Sequence, residues 1–335
     1  MDYRKKLVTK EELLDIHHKG YRNRYSTSRV TNIQVLEMFE LDQPPTIYLN
    51  QENSKIENEY VMAHCMGHIE FVQNNSILKG LRKPRLTYDM LFPYIQFDQF
   101  DLFLATMRTL GSTTQSLDSR FIAPVDYFLS NKKNWFLDWQ KWLLKLIKEE
   151  VQYFNAIKQT KLMNEGWATF MQANALQKMN LTLREKLEVA QLEAQLHYKP
   201  EEGLNYYSLG QALWNEVPKE ERMRVVKEFD DVGLIEKYYT EAVHQAEKIT
   251  VAANRKVTDD YREVKRELIL YFKHQSPIFY VDQEVTDETG YVTLRYQNSP
   301  YQIEANQINK IKGALEQILK LPIYIKPLYA QRVSN

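Results

Sequence analysis

The sequence predicts a mainly helical fold with a small α+β segment at its C-terminal end. Three observations carry this. Glycine and proline are scarce, 10 and 11 of 335 residues, which disfavours the many tight turns of a sandwich or barrel. Apolar residues recur at helical spacing through most of the chain. Strand-like alternation and turn residues gather only after Tyr261.

Residues 1–45 form a mixed, polar N-terminal segment, with a helical stretch at Lys10–His18 and a stop at Pro44-Pro45. Thr46–Leu49 is β-prone, and Gln51–Asn58 is polar. A helix is expected from Tyr60 to Asn74, and another from Leu91 to Met107 beyond Pro93, followed by a loop of small polar residues, Ser112–Ser119. From Trp135 the period is clear. With Trp139 at zero and a step of about 100°, Trp142, Leu143, Leu146, Tyr153, Phe154 and Ile157 fall within about 60° of it, and Glu150 lies inside that stripe. Thr160 is placed as the N-cap of the next helix, on which Leu162, Glu165, Thr169, Gln172, Ala173 and Leu176 share a face. Leu181–Leu196 is amphipathic, Asn205–Gly210 leads into a further helix, and Glu221–Asp260 continues helical with polar breaks. These elements make a helical core over residues 46–260. In the C-terminal domain, 261–335, Leu268–Phe272 and Pro277–Val281 are β-prone and Asp287–Gly290 is a turn. Tyr291–Tyr296 is a strand, Glu304–Leu319 a helix and Ile323–Ile325 a last strand.

Composition excludes several function classes. Lys+Arg and Asp+Glu balance at 44 each, so no global field favours nucleic acid or an anionic membrane. No apolar run reaches the ~20 residues of a membrane span. The Met-Asp-Tyr-Arg-Lys-Lys start has no apolar signal region, and the single cysteine, Cys65, forms no internal disulfide, so a cytoplasmic protein is expected. There is no Gly-rich nucleotide loop and no GxSxG elbow.

The chemistry lies in two short segments, His64-Cys65-Met66-Gly67-His68 and Asn164-Glu165-Gly166-Trp167-Ala168. Residues four apart share a helix face, so His64 and His68 can present two imidazoles to one point. This is the spacing of the HExxH zinc helix, in which a glutamate from a second helix is a common third ligand. Taken singly, a histidine pair is as well read as two imidazoles bonded to backbone. Two glutamates on apolar helix faces change that weighting, because a buried carboxylate wants a counter-charge. His64, His68 and Glu165 are therefore the candidate ligands of zinc or another divalent metal, with Glu150 as a fourth ligand or the catalytic base. The position where hydrolases keep the general-base glutamate is Cys65, read here as a small buried residue. Glu70 is read as a solvated or salt-bridged carboxylate, His197 as a loop histidine, and Trp167, Phe170 and Met171 as core.

Three blocks resemble the bacterial stage V sporulation protein R (SpoVR)-like family. The first runs from Ile47-Tyr48-Leu49-Asn50 through His64 and His68 to Asn74-Asn75. The second joins Glu149-Glu150 to Asn164–Ala168, and the third is Asn205-Tyr206-Tyr207-Ser208-Leu209-Gly210 with Trp214. The chain differs from the family pattern at Gln172 and Glu193, where histidines are usual, and at Tyr206, where proline is usual. The resemblance implies a role in spore-cortex formation and an unidentified protein partner from a sporulation or serine-kinase pathway. It also implies, by analogy with gluzincin-type peptidases, a zincin-like helical core. Two functions stand open: a regulator or scaffold retaining a metal site, favoured by the missing carboxylate at position 65, and a metal-dependent peptide or amide hydrolase using Glu150 as base.

Overall fold

A computed structural model describes residues 2–19, 36–41, 43–82, 84–86, 88–113, 115–131, 133, 135–199, 203–253, 256–273, 278–297 and 303–328. In chain order it runs β1 (Arg4–Val8), α1 (Lys10–Lys19), β2 (Met38–Glu40), β3 (Thr46–Asn50), α2 (Lys55–Asn74), α3 (Tyr88–Leu91), a 3-10 turn (Phe92–Tyr94), α4 (Phe100–Gly111), β4 (Phe121–Ile122) and α5 (Pro124–Ser130). It continues with α6 (Asp138–Gln159), α7 (Lys161–Gln177), α8 (Leu183–Leu196), α9 (Tyr206–Glu216), α10 (Arg222–Glu228), α11 (Asp231–Tyr238) and α12 (Glu241–Glu247). The last elements are β5 (Val251–Ala253), β6 (Lys256–Thr258), α13 (Tyr261–Lys273), β7 (Phe279–Asp282), α14 (Gln283–Thr289), β8 (Val292–Tyr296), α15 (Ala305–Leu319) and β9 (Ile323–Pro327). The fold is mainly helical with small mixed sheets, as expected. Among the described residues no helix is long and apolar enough to cross a membrane.

The chain divides into two compact units, each built from two stretches: Met1–Leu81 with Gln159–Ile269, and Arg82–Lys158 with Leu270–Asn335. These boundaries differ from the expected breaks at 45 and 260. The reason is pairing distant in sequence: β4 joins β7 in the sheet β4-β7-β8-β9, so the C-terminal strands belong with residues 82–158 rather than alone.

In the first unit, β3 is flanked by β1 in parallel and β2 antiparallel. α2 starts earlier than the apolar pattern suggests, because Ser54 and Glu57 form a reciprocal capping box. Its Cys65 faces Ile47 and Leu49 of β3 together with Val61, Met62 and Ile69, a dry cluster. α2, α7 and α9 pack at glycine contacts. A Cβ on Gly67 would lie 2.6 Å from the Ala168 Cα, and one on Gly166 would lie 2.5 Å from the Gly210 Cα, so no larger residue fits without spreading the helices.

Four local expectations are corrected. The helical run expected over Glu221–Asp260 ends with α12, and β5 and β6 pair antiparallel after it. Leu268–Phe272 is helix, not strand: Val264, Leu268 and Phe272 are all buried at a spacing of four, so helical period prevails over β-propensity. The single helix expected over 91–107 is broken, with α4 beginning only after Gln99 in a left-handed conformation (φ 67°). Asp287–Gly290 is not a hairpin turn but the end of α14, whose start is capped by Asp282 and whose end is closed by Gly290 at φ 76°. Pro277 and residues 20–35 of the N-terminal segment lie outside the described residues.

Candidate metal centre

Two helices and the segment leading into β2 supply the polar centre of the first unit. His64 and His68 sit one turn apart on α2, Glu165 faces them from α7, and Glu37 reaches in from just before β2. One ligand-type atom from each of the four lies within 4.8 Å of all the others. His64 Nε2 is 3.3 Å from Glu37 Oε1 and 4.0 Å from Glu165 Oε2. His68 Nε2 is 3.1 Å from Glu37 Oε2 and 3.4 Å from Glu165 Oε2.

The second nitrogen of each imidazole is engaged. His64 Nδ1 is 3.2 Å from Gln172 Oε1, and the Gln172 amide is oriented by donating its Nε2–H to the Tyr60 carbonyl at 2.9 Å. His68 Nδ1 is 2.9 Å from Asn164 Oδ1. An amide oxygen only accepts, so each Nδ1 carries the proton, and a neutral ring then turns its Nε2 lone pair into the centre. This is how protein groups orient metal-binding histidines.

α7 is seated so that Glu165 points inward. Thr160 occupies the N-cap position, as expected, but its side chain makes no capping bond there. The Leu162 and Met163 N–H groups instead donate to the buried Asp231 carboxylate of α11, at 2.9 and 2.8 Å. Burial pushes the Asp231 carboxyl upward, while the two N–H donors pull against that. Trp167 Nε1 donates to Glu70 of α2 at 3.1 Å, and Trp214 Nε1 of α9 donates to the Met163 carbonyl at 3.0 Å. Glu70 is therefore held by a tryptophan, and the tryptophans tie helices together.

Electrostatics follow the geometry. Burial disfavours a charged His68, but the Glu165 and Glu37 carboxylates outweigh it and lift the imidazole to about 10. Burial likewise opposes a charged Glu165, yet His68 and His64 hold its carboxyl well below the usual range. The Cys65 thiol, fully buried, is pushed well up by desolvation first and by Glu37 second, which fits an inert core thiol.

Two buried atoms here have no hydrogen-bond partner, His64 Nε2 and Glu165 Oε2. Glu37 Oε1 stands 3.3 Å from the first but outside hydrogen-bonding alignment. Donors about 2.1 Å from a common ion lie about 3.4 Å apart when tetrahedral. The histidine-to-carboxylate separations, 3.1, 3.3, 3.4 and 4.0 Å, with Glu37 offering a different oxygen to each imidazole, lie near that edge. The residues therefore could hold a metal ion.

Of the residues singled out in the sequence, His64, His68 and Glu165 are brought together. Glu150 is not among them. It lies in the second unit, 3% exposed, with both carboxylate oxygens bonded to the Arg108 guanidinium at 2.8 and 2.7 Å. Its burial on an apolar stripe is explained by that partner. Sequence reasoning missed Glu37, which stands in a segment without a chemical motif. It also missed the orienting role of Gln172, although that residue shares the Glu165 face. Asn205 is a helix-entry residue, its Oδ1 accepting from the Tyr207 and Ser208 N–H groups.

A family model described as "SpoVR like protein" matches residues 114–310, which include α7 and the Asn205–Gly210 block. A curated relative, the uncharacterized protein YcgB of Escherichia coli (strain K12), is 30% identical over 103 residues, 28% of this chain. The chain spans only 20% of that relative's length. No solved structure matches. Since the family model covers more than half of its 335 residues, the chain belongs to the family of SpoVR-like proteins.

Proposed function

We propose that this protein is a sporulation-related, metal-binding member of its family, and that a zincin-like trio of α2, α7 and α9 holds a divalent cation through His64, His68 and Glu165. One observation carries the reading: ligand-type atoms of Glu37, His64, His68 and Glu165 gather within 4.8 Å of one another, three of these residues are buried, and His64 Nε2 has no hydrogen-bond partner there. A zinc-class ion would supply a fixed positive charge that joins two helices and neutralises Glu165.

The role that fits best is regulatory or scaffolding. A hydrolase of this class needs a carboxylate to handle a water proton. Position 65 offers a thiol packed in hydrocarbon, the Glu150 carboxylate is bonded to Arg108, and the Glu37 carboxylate lies against both imidazoles, where it reads as a ligand to the ion and not as a base. The alternative, a peptide or amide hydrolase with Glu150 as general base, draws no support from those surroundings.

The test is elemental analysis of full-length protein purified without a histidine tag, beside His64→Ala and Glu165→Gln. About one divalent ion per chain in the wild type, lost in both variants, is the expected result. Equal and negligible metal in all three, after reconstitution with zinc, manganese and iron(II), would overturn the reading.

A further inference from the structure

Resting on that metal reading, we propose that Glu37 is an exchangeable ligand, covering the one position on the ion that an outside oxygen-donor anion, a carboxylate or hydroxide, would take.

The four groups are not held alike. His64 is clamped from behind by Gln172 and His68 by Asn164. Glu165 rides on a helix whose N-terminus is pinned by Asp231 and whose next residue, Gly166, is wedged against Gly210. Among the described residues the Glu37 carboxylate meets only the two imidazoles, with no donor behind it. Its side chain is also the most open, 23% exposed against 11% for Glu165, 5% for His68 and 2% for His64. Three ligands are rigid and buried, and the fourth faces solvent.

The backbone behind Glu37 matches this. It immediately precedes β2, a three-residue strand at the edge of the sheet β1-β3-β2, paired only through Met38–Glu40. A short edge strand presents few bonds to break, so displacing its leading residue costs little compared with moving α2 or α7. The carboxylate also straddles the gap between the imidazoles, Oε1 toward His64 and Oε2 toward His68. When it swings away, it uncovers the face of the ion between them. An incoming carboxylate reproduces its charge and donor atoms, so such an anion competes with Glu37 directly. The three remaining ligands with one open place are the set that binds small oxygen ligands in catalytic zinc sites.

The test uses the full chain loaded with cobalt(II), read by its visible d–d absorption and by chelator competition, with circular dichroism to confirm folding. Glu37→Ala should keep one ion per chain, bind it more weakly, and change the d–d spectrum. Added acetate or formate should restore the wild-type band shape in Glu37→Ala but not in Glu37→Gln, where the amide fills the space. Glu165→Gln should lose stoichiometric metal. If Glu37→Ala loses the ion as completely as Glu165→Gln, Glu37 is a fixed ligand and the proposal fails. If its spectrum matches wild type and ignores acetate, Glu37 is no ligand and the proposal fails again. Wild-type protein that takes up no cobalt at all would overturn the metal reading itself.

Discussion

Replacing Gly166 by alanine tests both the helix packing and its link to the metal centre. The added Cβ would lie 2.5 Å from the Gly210 Cα and carbonyl carbon and 2.8 Å from its oxygen. All three are backbone atoms, so no side chain can rotate away. Reaching ordinary contact requires α9 and α7 to part by about 1 Å, and overpacking of this kind costs about 1–3 kcal/mol. Alanine returns up to about 1 kcal/mol of helix propensity, so a net loss of about 1–2 kcal/mol is expected. The neighbouring residue is Glu165, and the same displacement should spread the donor atoms and weaken metal binding. Chemical denaturation followed by tryptophan fluorescence reports this in part, because the Trp167 and Trp214 rings meet 4.7 Å apart at the same interface while Trp135, Trp139 and Trp142 report on the second unit. With two compact units, the midpoint of the tryptophan transition is the quantity to compare. Gly313→Ala in α15, where a Cβ meets nothing within 4 Å, is the contrast and should stabilise by about 0.5–1 kcal/mol. A Gly166→Ala protein as stable as wild type, with undiminished metal affinity, would refute the packing argument.

Metal uptake should be linked to protons. Without the ion His68 holds its proton up to about 10, so binding must expel it, and apparent affinity should rise about tenfold per pH unit from about 7 to 9. Calorimetry in buffers of different ionisation enthalpy should find close to one proton released, and pH-independent affinity would contradict this. In metal-free protein the raised His68 contributes stability that is complete below 6.5 and lost as pH rises toward about 10. Melting temperature relative to His68→Gln should fall over that window, whereas the Glu165 contribution is lost only in acid. Arg108→Met, which takes the guanidinium from a buried carboxylate, should cost about 3–5 kcal/mol in the second unit, more than Glu150→Gln. Both should keep the ion, and loss of metal in Glu150→Gln would return Glu150 to the centre. Cys65→Glu places a charge among Ile47, Leu49 and Ile69, so it should destabilise by several kcal/mol without creating hydrolysis. Chelator-sensitive peptide cleavage by a stably folded Cys65→Glu protein would show that the position faces the site after all.

What could be read from the sequence was what helical period encodes. The phase of α2 and α7 follows from apolar spacing, and with it the convergence of His64, His68 and Glu165. Period says nothing about partners from other segments. Glu150 looked like a buried carboxylate in need of a cation, which it is, but the cation is Arg108 on α4. Glu37 carried no signal because its position depends on pairing of β2 with β3, a contact between short segments that alternation over three residues cannot establish. Leu268–Phe272 shows the converse, β-prone residue types overruled by a face that repeats every fourth position. The glycines of the two motifs, to which the sequence assigned no role, are points where helices touch.

The insertion of residues 82–158 between α2 and α7 has a consequence for how the protein is made. Asn164 and His68, in direct contact, are 96 residues apart. A ribosome therefore releases the histidine helix long before its glutamate partner exists, and α9, which seats Gly166, follows later still. Closing a loop of that length costs about 4 kcal/mol in chain entropy before any contact offsets it. Until then the exposed face of α2 must wait, its imidazoles free to meet stray metal or another chain. An ion that arrives after α9 would act as a late clasp, locking a ring of chain that can no longer unwind from either end without first letting go of the metal.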